Sequence, residues 1–492
     1  MACTLVSRGG CLSVVLAAWL AVEALDAPAA VTMSASATAP TVGADDIAQL
    51  VGGADIGGDQ GHIWSNRPTQ GQSFLTGASA GGYLLTAVTF QNRDNTATSG
   101  TFTVRIGTIS GTTITTVRLE TAGNAASYVP LHYITATLST PIWLMPNQLY
   151  GVDWGSSGAG FVTCNNLDTA GNLYANGAAY STGTNSVPGS AVTVHAADRV
   201  FHLAMDASSF TTWTGGGTTG DWSDSANWAG GVAPSSDSAT SIVISGNVNV
   251  GTQAVPLQQN LAAPMVLNRL YVAGTGSGDS EVVLGGGALR FEANGTTAPQ
   301  LIVERSQAVT LRNDLVAAAN LTMNVFNGAA TNDLVVEGQI TGDGAITKQG
   351  PGVLLLTANN TYTGATTITA GTLQVGDGGT TGTLGTGDVT NNAALVFHRS
   401  DNLSVANAIA GSGSVTKLGE GTLTLTATNT YTGATTITAG TVQVGNGGTT
   451  GTLGTGDVTN NAALVFNRSN DLTVANVIAG TGSVTKQGTG TL

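Results

Sequence analysis

GPGVLLLTANNTYTGATTITAGTLQVG occupies residues 350–376, and GEGTLTLTATNTYTGATTITAGTVQVG occupies residues 419–445. The likeness runs well past these stretches. Residues 349–417 align with residues 418–486 at a constant offset of 69 without a gap, and 56 of the 69 positions are identical. A fixed period of this kind marks a stacked architecture, in which each unit buries its core only against its neighbours. Lys348, Lys417 and Lys486, the three lysines of the chain, fall on the period, as do Tyr362 with Tyr431 and Phe397 with Phe466.

Within one unit the apolar residues recur with period two: Leu354 and Leu356, Leu373 and Val375, Leu395 and Phe397, Leu403 and Val405. Each group offers one face to an interior and one to water. Between them lie runs such as GDGGTTGTLGTGD (residues 376–388), whose glycines permit the positive φ of tight corners. Strands this short suit a chain that coils and pairs each strand with the one below, so a parallel β-helix is predicted. At roughly 23 residues per coil the unit is about three coils, and equivalent lysines should stand in a line ~14 Å apart. About a dozen coils, a rod on the order of 60 Å, are expected.

Composition agrees and narrows the function classes. Only 9% of the 492 residues are charged, Gly supplies 69 positions, and the net charge is −14. Helix formers are scarce, so the chain should be all-β. The basic patch that phosphate backbones require is missing, and nucleic acid is set aside as a partner.

Upstream of the repeats, Arg8 precedes an apolar run at residues 11–25 and then small residues, the order of a secretory signal over residues 1–30, with Ala24 and Ala30 as cleavage candidates. The run is shorter than the ~20 residues that span a bilayer, so no membrane span is expected in the mature chain. Residues 31–43 read as a linker. Residues 44–206 carry short alternating segments at 83–90, 101–106, 113–119, 133–138, 148–154 and 200–205, which predict a jelly-roll-like β-sandwich. Residues 207–212 read as a hinge, and residues 213–492 as the β-helix.

The tandem stretches resemble the autotransporter-associated beta strand repeat, also called the passenger-associated transport repeat. WTGGG (213–217), DWSDSANW (221–228) and GGVAP (230–234) are similar to the segment that leads into such repeats. The resemblance covers residues 211–492. It implies a right-handed β-helix on an exported bacterial passenger, secreted or displayed at the cell surface, with a stalk or adhesin-like role and no catalytic residues in the repeat. Classical autotransporters end in a translocator barrel. Here Gly490-Thr491-Leu492 align with Gly421-Thr422-Leu423, so further sequence is expected beyond a last coil that has no cap.

A search for chemistry leaves little. A polysaccharide lyase or hydrolase on a β-helix needs a carboxylate pair, or a carboxylate with Arg or Lys, on adjacent coils. The repeat acids Asp377, Asp388, Asp401, Glu420, Asp457 and Asp471 sit in corner sequences, where a solvated turn explains them. Asp377 becomes Asn446 in the next unit and His398 becomes Asn467. Arg399, Arg468 and the lysines read as surface cations. No histidine or cysteine spacing fits a metal, no cofactor is expected, and Cys164 reads as structural. Among the tryptophans, Trp143 reads as core and Trp213, Trp222 and Trp228 as a cap on the first coil. Trp64 and Trp154, in polar, Gly-rich settings, read as core or, in the alternative of a carbohydrate-binding module, as candidates for stacking on a sugar, with an extracellular polysaccharide or cell-surface component as partner.

Overall fold

The computed structural model describes residues 32–50, 69–91, 101–122, 132–157, 166–167, 176–184, 187–194, 198–245, 256–274, 279–326, 328 and 330–492. Residues 211–492 wind into a three-sided parallel β-helix. On each side, strands of two to five residues stack in register, and every pairing is parallel. The first face begins with Thr211–Trp213, Ser241–Ile244 and Arg269–Ala273, and the second with Leu257–Gln259 and Val282–Gly286. The third begins with Met265–Leu267 and Leu289–Phe291, and resumes at Leu403–Val405. Among the described residues the second face is the longest, with eleven strands. Ten steps of ~4.8 Å make it ~48 Å long, somewhat shorter than a dozen coils would give.

Alternation explains the core. Ala394–His398 and Ser414–Leu418 alternate between buried and half-buried residues, and the inward Leu395, Phe397 and Val415 lie in one continuous interior from Trp213 to Phe466. Each such side chain contributes ~1.5–3 kcal/mol by leaving water. At the N-terminal end the interior is closed by Trp213, Trp222 and Trp228, all buried. Trp228 meets the other two edge to face at 5.0 and 5.7 Å, and its Nε1 donates to Trp222 O. This is the cap expected from the sequence.

The lysines do not stand in a line. Ile346, Thr366, Val389 and Ile409 occupy one column, so three coils take 63 residues, and the six left over in each 69-residue unit carry the chain on to the next face. Lys348 therefore lies on the first face between Met323 and Ile368, Lys417 on the second between Phe397 and Ile437, and Lys486 on the third beside Phe466. Each unit rises about three coils and turns by one side of the prism. Nor are Lys348 and Lys417 surface cations: both are buried, because their alternation points them inward.

Residues 32–207 form two packed antiparallel layers. The first has the order Thr32–Ser36, Tyr133–Leu144, Tyr83–Gln91, Phe201–Ala207, Ile47–Gln49. Its edge strand Thr32–Ser36 comes from the segment expected to be a linker: small polar residues serve on an exposed edge, where only backbone pairing is asked of them. The second layer curls shut into a six-stranded barrel as Ala179–Thr184 pairs with Thr69–Leu75 on one side and Val187–Val194 on the other. All six segments expected as strands are strands. Val104 and Ile106 face the first layer, against Val88, Phe90, Ile134 and Leu203.

Candidate functional site

Between Val104 and Ile106, Arg105 turns the other way, into the barrel. Its Nε lies 3.1 Å from both carboxylate oxygens of Asp153, and its Nη2 donates to Asp153 and, at 2.9 Å, to Thr182 Oγ1. Tyr180 OH donates to Asp153 Oδ2 at 3.0 Å. Burial pushes the Asp153 carboxyl up, while Arg105 and Tyr180 oppose the shift. Tyr180 fills the remaining space: a Cβ on Gly151 would lie 2.6 Å from its hydroxyl. This interior is a plug. Its charges are paired and its acid is fully enclosed.

A second buried node joins the sandwich to the β-helix. Arg118, on the barrel strand Thr113–Ala122, makes a two-pronged bond to Glu304 on the first face, with Nη2 to Oε2 at 2.9 Å. It also bonds Glu120 and Thr140 O, and its guanidinium lies 4.0 Å over the Phe326 ring. Tyr271 donates to Glu304 and accepts from Trp143 N at 3.3 Å. Burial alone would lower the Arg118 pKa, but Glu304 and the neighbouring Glu120 more than offset it and hold the guanidinium charged. Around the node, Trp143, Phe210, Val243, Tyr271, Ile302 and Phe326 form an apolar seam. Trp143 is thus buried, as expected, though it seals a junction between domains.

Residues 207–212, read as a hinge, are fixed at several points. Ser208 N donates to Gly82 O at 2.9 Å, Phe210 sits in the seam, and Thr212 Oγ1 donates to Ala80 O at 3.1 Å. A cavity of about 330 Å³ lies beside this connection, lined by Ala80, Phe210, Val232, Pro234 and Ser235 among others.

On the rod, the buried cations serve the backbone. Lys348 Nζ donates to the carbonyls of Gln349, Gly350 and Ala370 at 3.0, 2.7 and 3.1 Å. Burial lowers its amine to about 7, with Asp333 opposing. Arg399, also buried, donates to Gly382 O at 2.8 Å, to Thr380 O and to Asp401; Arg468 repeats the pattern on Gly451 O, Thr449 O and Asn470. The loops so held, residues 376–388 and 445–457, replace a strand on one side of the prism. The first lies on the third face and its copy on the first face, as the screw step requires.

Trp64, Ala24, Ala30, Cys164 and His195 lie outside the described residues. Trp154 is described only through its backbone, which pairs with Gln70 and Val104, and its side chain lies outside them. His202 Nε2 is 2.7 Å from Asp46 Oδ2, an internal tie to the residues just before Ile47–Gln49. Among the described residues, no group of three or more His, Cys, Asp or Glu could hold a metal, and no helix is long and apolar enough to cross a membrane. The node at Glu304 escaped sequence reasoning, yet it left a signal. SIVI, RLYVA and QLIVE are apolar on both faces of their strands, the mark of strands covered on both sides.

The model of the passenger-associated-transport repeat matches residues 346–375 and 415–444, the same block on successive faces. A stretch of 133 residues, 26% of this chain, is 35% identical to the adhesin BmaC autotransporter of Brucella suis biovar 1 (strain 1330). It spans 3% of that relative's length. No solved structure matches the chain.

Proposed function

We propose that this chain, which carries two passenger-associated-transport repeats, is a non-enzymatic stalk within an adhesin-like bacterial passenger, secreted or displayed at the cell surface. The observation that carries the reading is the pair of repeats, at residues 346–375 and 415–444, stacked into one continuous rod, and a 133-residue likeness of the chain to an autotransporter adhesin supports it. The distribution of charge supports the non-enzymatic part. Arg399 is paired with Asp401 in the first unit and Arg468 with Asn470 in the second, so a carboxylate is lost without loss of the loop's geometry. A group whose charge is dispensable between copies acts by hydrogen bonding, and proton transfer would need the carboxylate itself.

The test is surface labelling of intact bacteria that produce the natural protein, with antibody raised against residues 349–486. Labelling without permeabilisation, or recovery of the antigen from the medium, is expected. Antigen reached only after permeabilisation would contradict the reading.

A further inference from the structure

The two long loops differ from ordinary solvated turns in how they are held. In the first, Asp377, Gly379, Thr380 and Thr381 are exposed, and in its copy Asn446, Gly447, Thr449 and Thr450. Beneath them the backbone is fixed at many points. Gly378 N donates to His398 O at 2.8 Å and Ser400 N to Gly379 O at 2.9 Å, and Arg399 takes the carbonyls of Thr380 and Gly382. The copy repeats this with Gly447 N to Asn467 O at 2.9 Å, Ser469 N to Gly448 O at 2.9 Å, and Arg468. The inner carbonyls are thereby used. The hydroxyls of Thr380, Thr381, Thr449 and Thr450 make no hydrogen bond among the described residues and stand on a backbone that needs no further ordering. A rigid display of this kind spares the entropy cost that a mobile loop meets on binding.

We propose that the loops at residues 377–381 and 446–450 form a bivalent binding surface for a neutral polysaccharide, wrapped around the rod. The proposal rests on the surface-passenger reading and names the partner class of that surface. Three observations select the partner. The loops offer hydroxyls, backbone amides, the Asn446 amide and the Asp377 carboxylate, while Arg399 is buried and Arg468 half-buried beneath them with their donors spent on loop carbonyls, which suits a hydroxyl-rich, uncharged chain. The net charge of −14 disfavours polyanions. The screw step sets the loops on different sides of the prism, about 16 Å apart along the axis by the ~4.8 Å strand spacing, so one flat receptor cannot engage both while a flexible polymer can. Linking two weak sites on one polymer raises avidity by about 10²- to 10⁴-fold without any new contact.

The experiment uses the full chain and soluble dextran, mannan and xylan as neutral probes, with alginate as the polyanion, read by affinity electrophoresis. At least one neutral polymer should retard the chain and alginate should not. The pair Thr380→Ala and Thr381→Ala, or the pair Thr449→Ala and Thr450→Ala, should each weaken retardation by about 100-fold or more, and all four together should abolish it with an unchanged melting temperature. Retardation by none of the neutral polymers overturns the proposal while leaving surface display intact. So does retardation that survives all four substitutions and is lost in Trp64→Ala or Trp154→Ala, which would move binding to the sandwich. Spin labels at Thr380→Cys and Thr449→Cys, with native cysteines replaced by serine, test the geometry separately. A separation well beyond 16 Å is expected, and one equal to the axial rise would place the loops in line and overturn the wrapped surface.

Discussion

The first face of the β-helix changes character halfway along, although its coil geometry does not. Beneath the sandwich its outward column reads Val243, Tyr271, Ile302, then Asn324; beyond the sandwich the next residue in the column is Gln349. Inward residues are apolar over much of both stretches, because the interior is shared. The outward residues record what covers the strand: another layer in the first stretch, water in the second. A β-helix face is thus a neutral scaffold, and a few outward side chains decide whether it docks a domain or stays bare.

The contrast breaks most visibly if the covering layer is removed. A fragment of residues 207–492 leaves Val243, Tyr271, Ile302 and Phe326 uncovered, and it should self-associate in light scattering, whereas residues 349–486 contribute no such patch. A monodisperse monomer of the fragment would show that the seam is dispensable.

Next in size is the charged node. Arg118→Ala leaves Glu304 buried without its main partner and should cost about 3–5 kcal/mol in denaturant unfolding. The double variant Arg118→Met with Glu304→Leu should cost less than Arg118→Ala, since only Glu120, and no longer Glu304, is left without its Arg118 bond. A near-zero effect of Arg118→Ala would mean that water reaches the node.

Beyond the sandwich, the interior lysine sharpens the comparison through pH. The folded amine of Lys348 titrates near 7, below its ordinary 10.5. Below pH 7 both folded and unfolded chains hold the proton and the cost of burial is fully present. Between about 7 and 10.5 the unfolded amine keeps a proton that the folded one has lost, so stability rises with pH. The denaturant midpoint should therefore increase from pH 6 to pH 9, and Lys348→Met should flatten that increase. An equal rise in both proteins would contradict the assignment.

The smallest effect is expected where the units already differ. Asp377→Asn installs the residue of the second unit at an exposed loop position and should shift the melting temperature by no more than about 1 °C.

Much of this was legible from residues alone. Period-two alternation and the 69-residue offset reveal a stacked β-helix, and three tryptophans ahead of the first coil read correctly as its cap. The lysine line failed for an arithmetic reason: a period equal to a whole number of coils was assumed, while 63 residues complete three coils and six advance the face. Burial of the lysines failed with it, since Lys348 alternates with Ile346 and so points inward. In the junction, Arg118 and Glu304 lie 186 residues apart, and no local pattern pairs them. What could have been read is the doubly apolar RLYVA and QLIVE, which require a second covering layer without naming it.

A desolvated charge node and an apolar seam fix the sandwich on the first face. Energy transfer between single dyes at Val194→Cys on the sandwich and Thr390→Cys on the rod, both exposed positions, with native cysteines replaced by serine, tests it directly. One narrow efficiency distribution is predicted, broadening when Arg118→Ala is added. A broad distribution in the otherwise unaltered chain, unchanged by Arg118→Ala, would contradict the account and make the sandwich a swinging head.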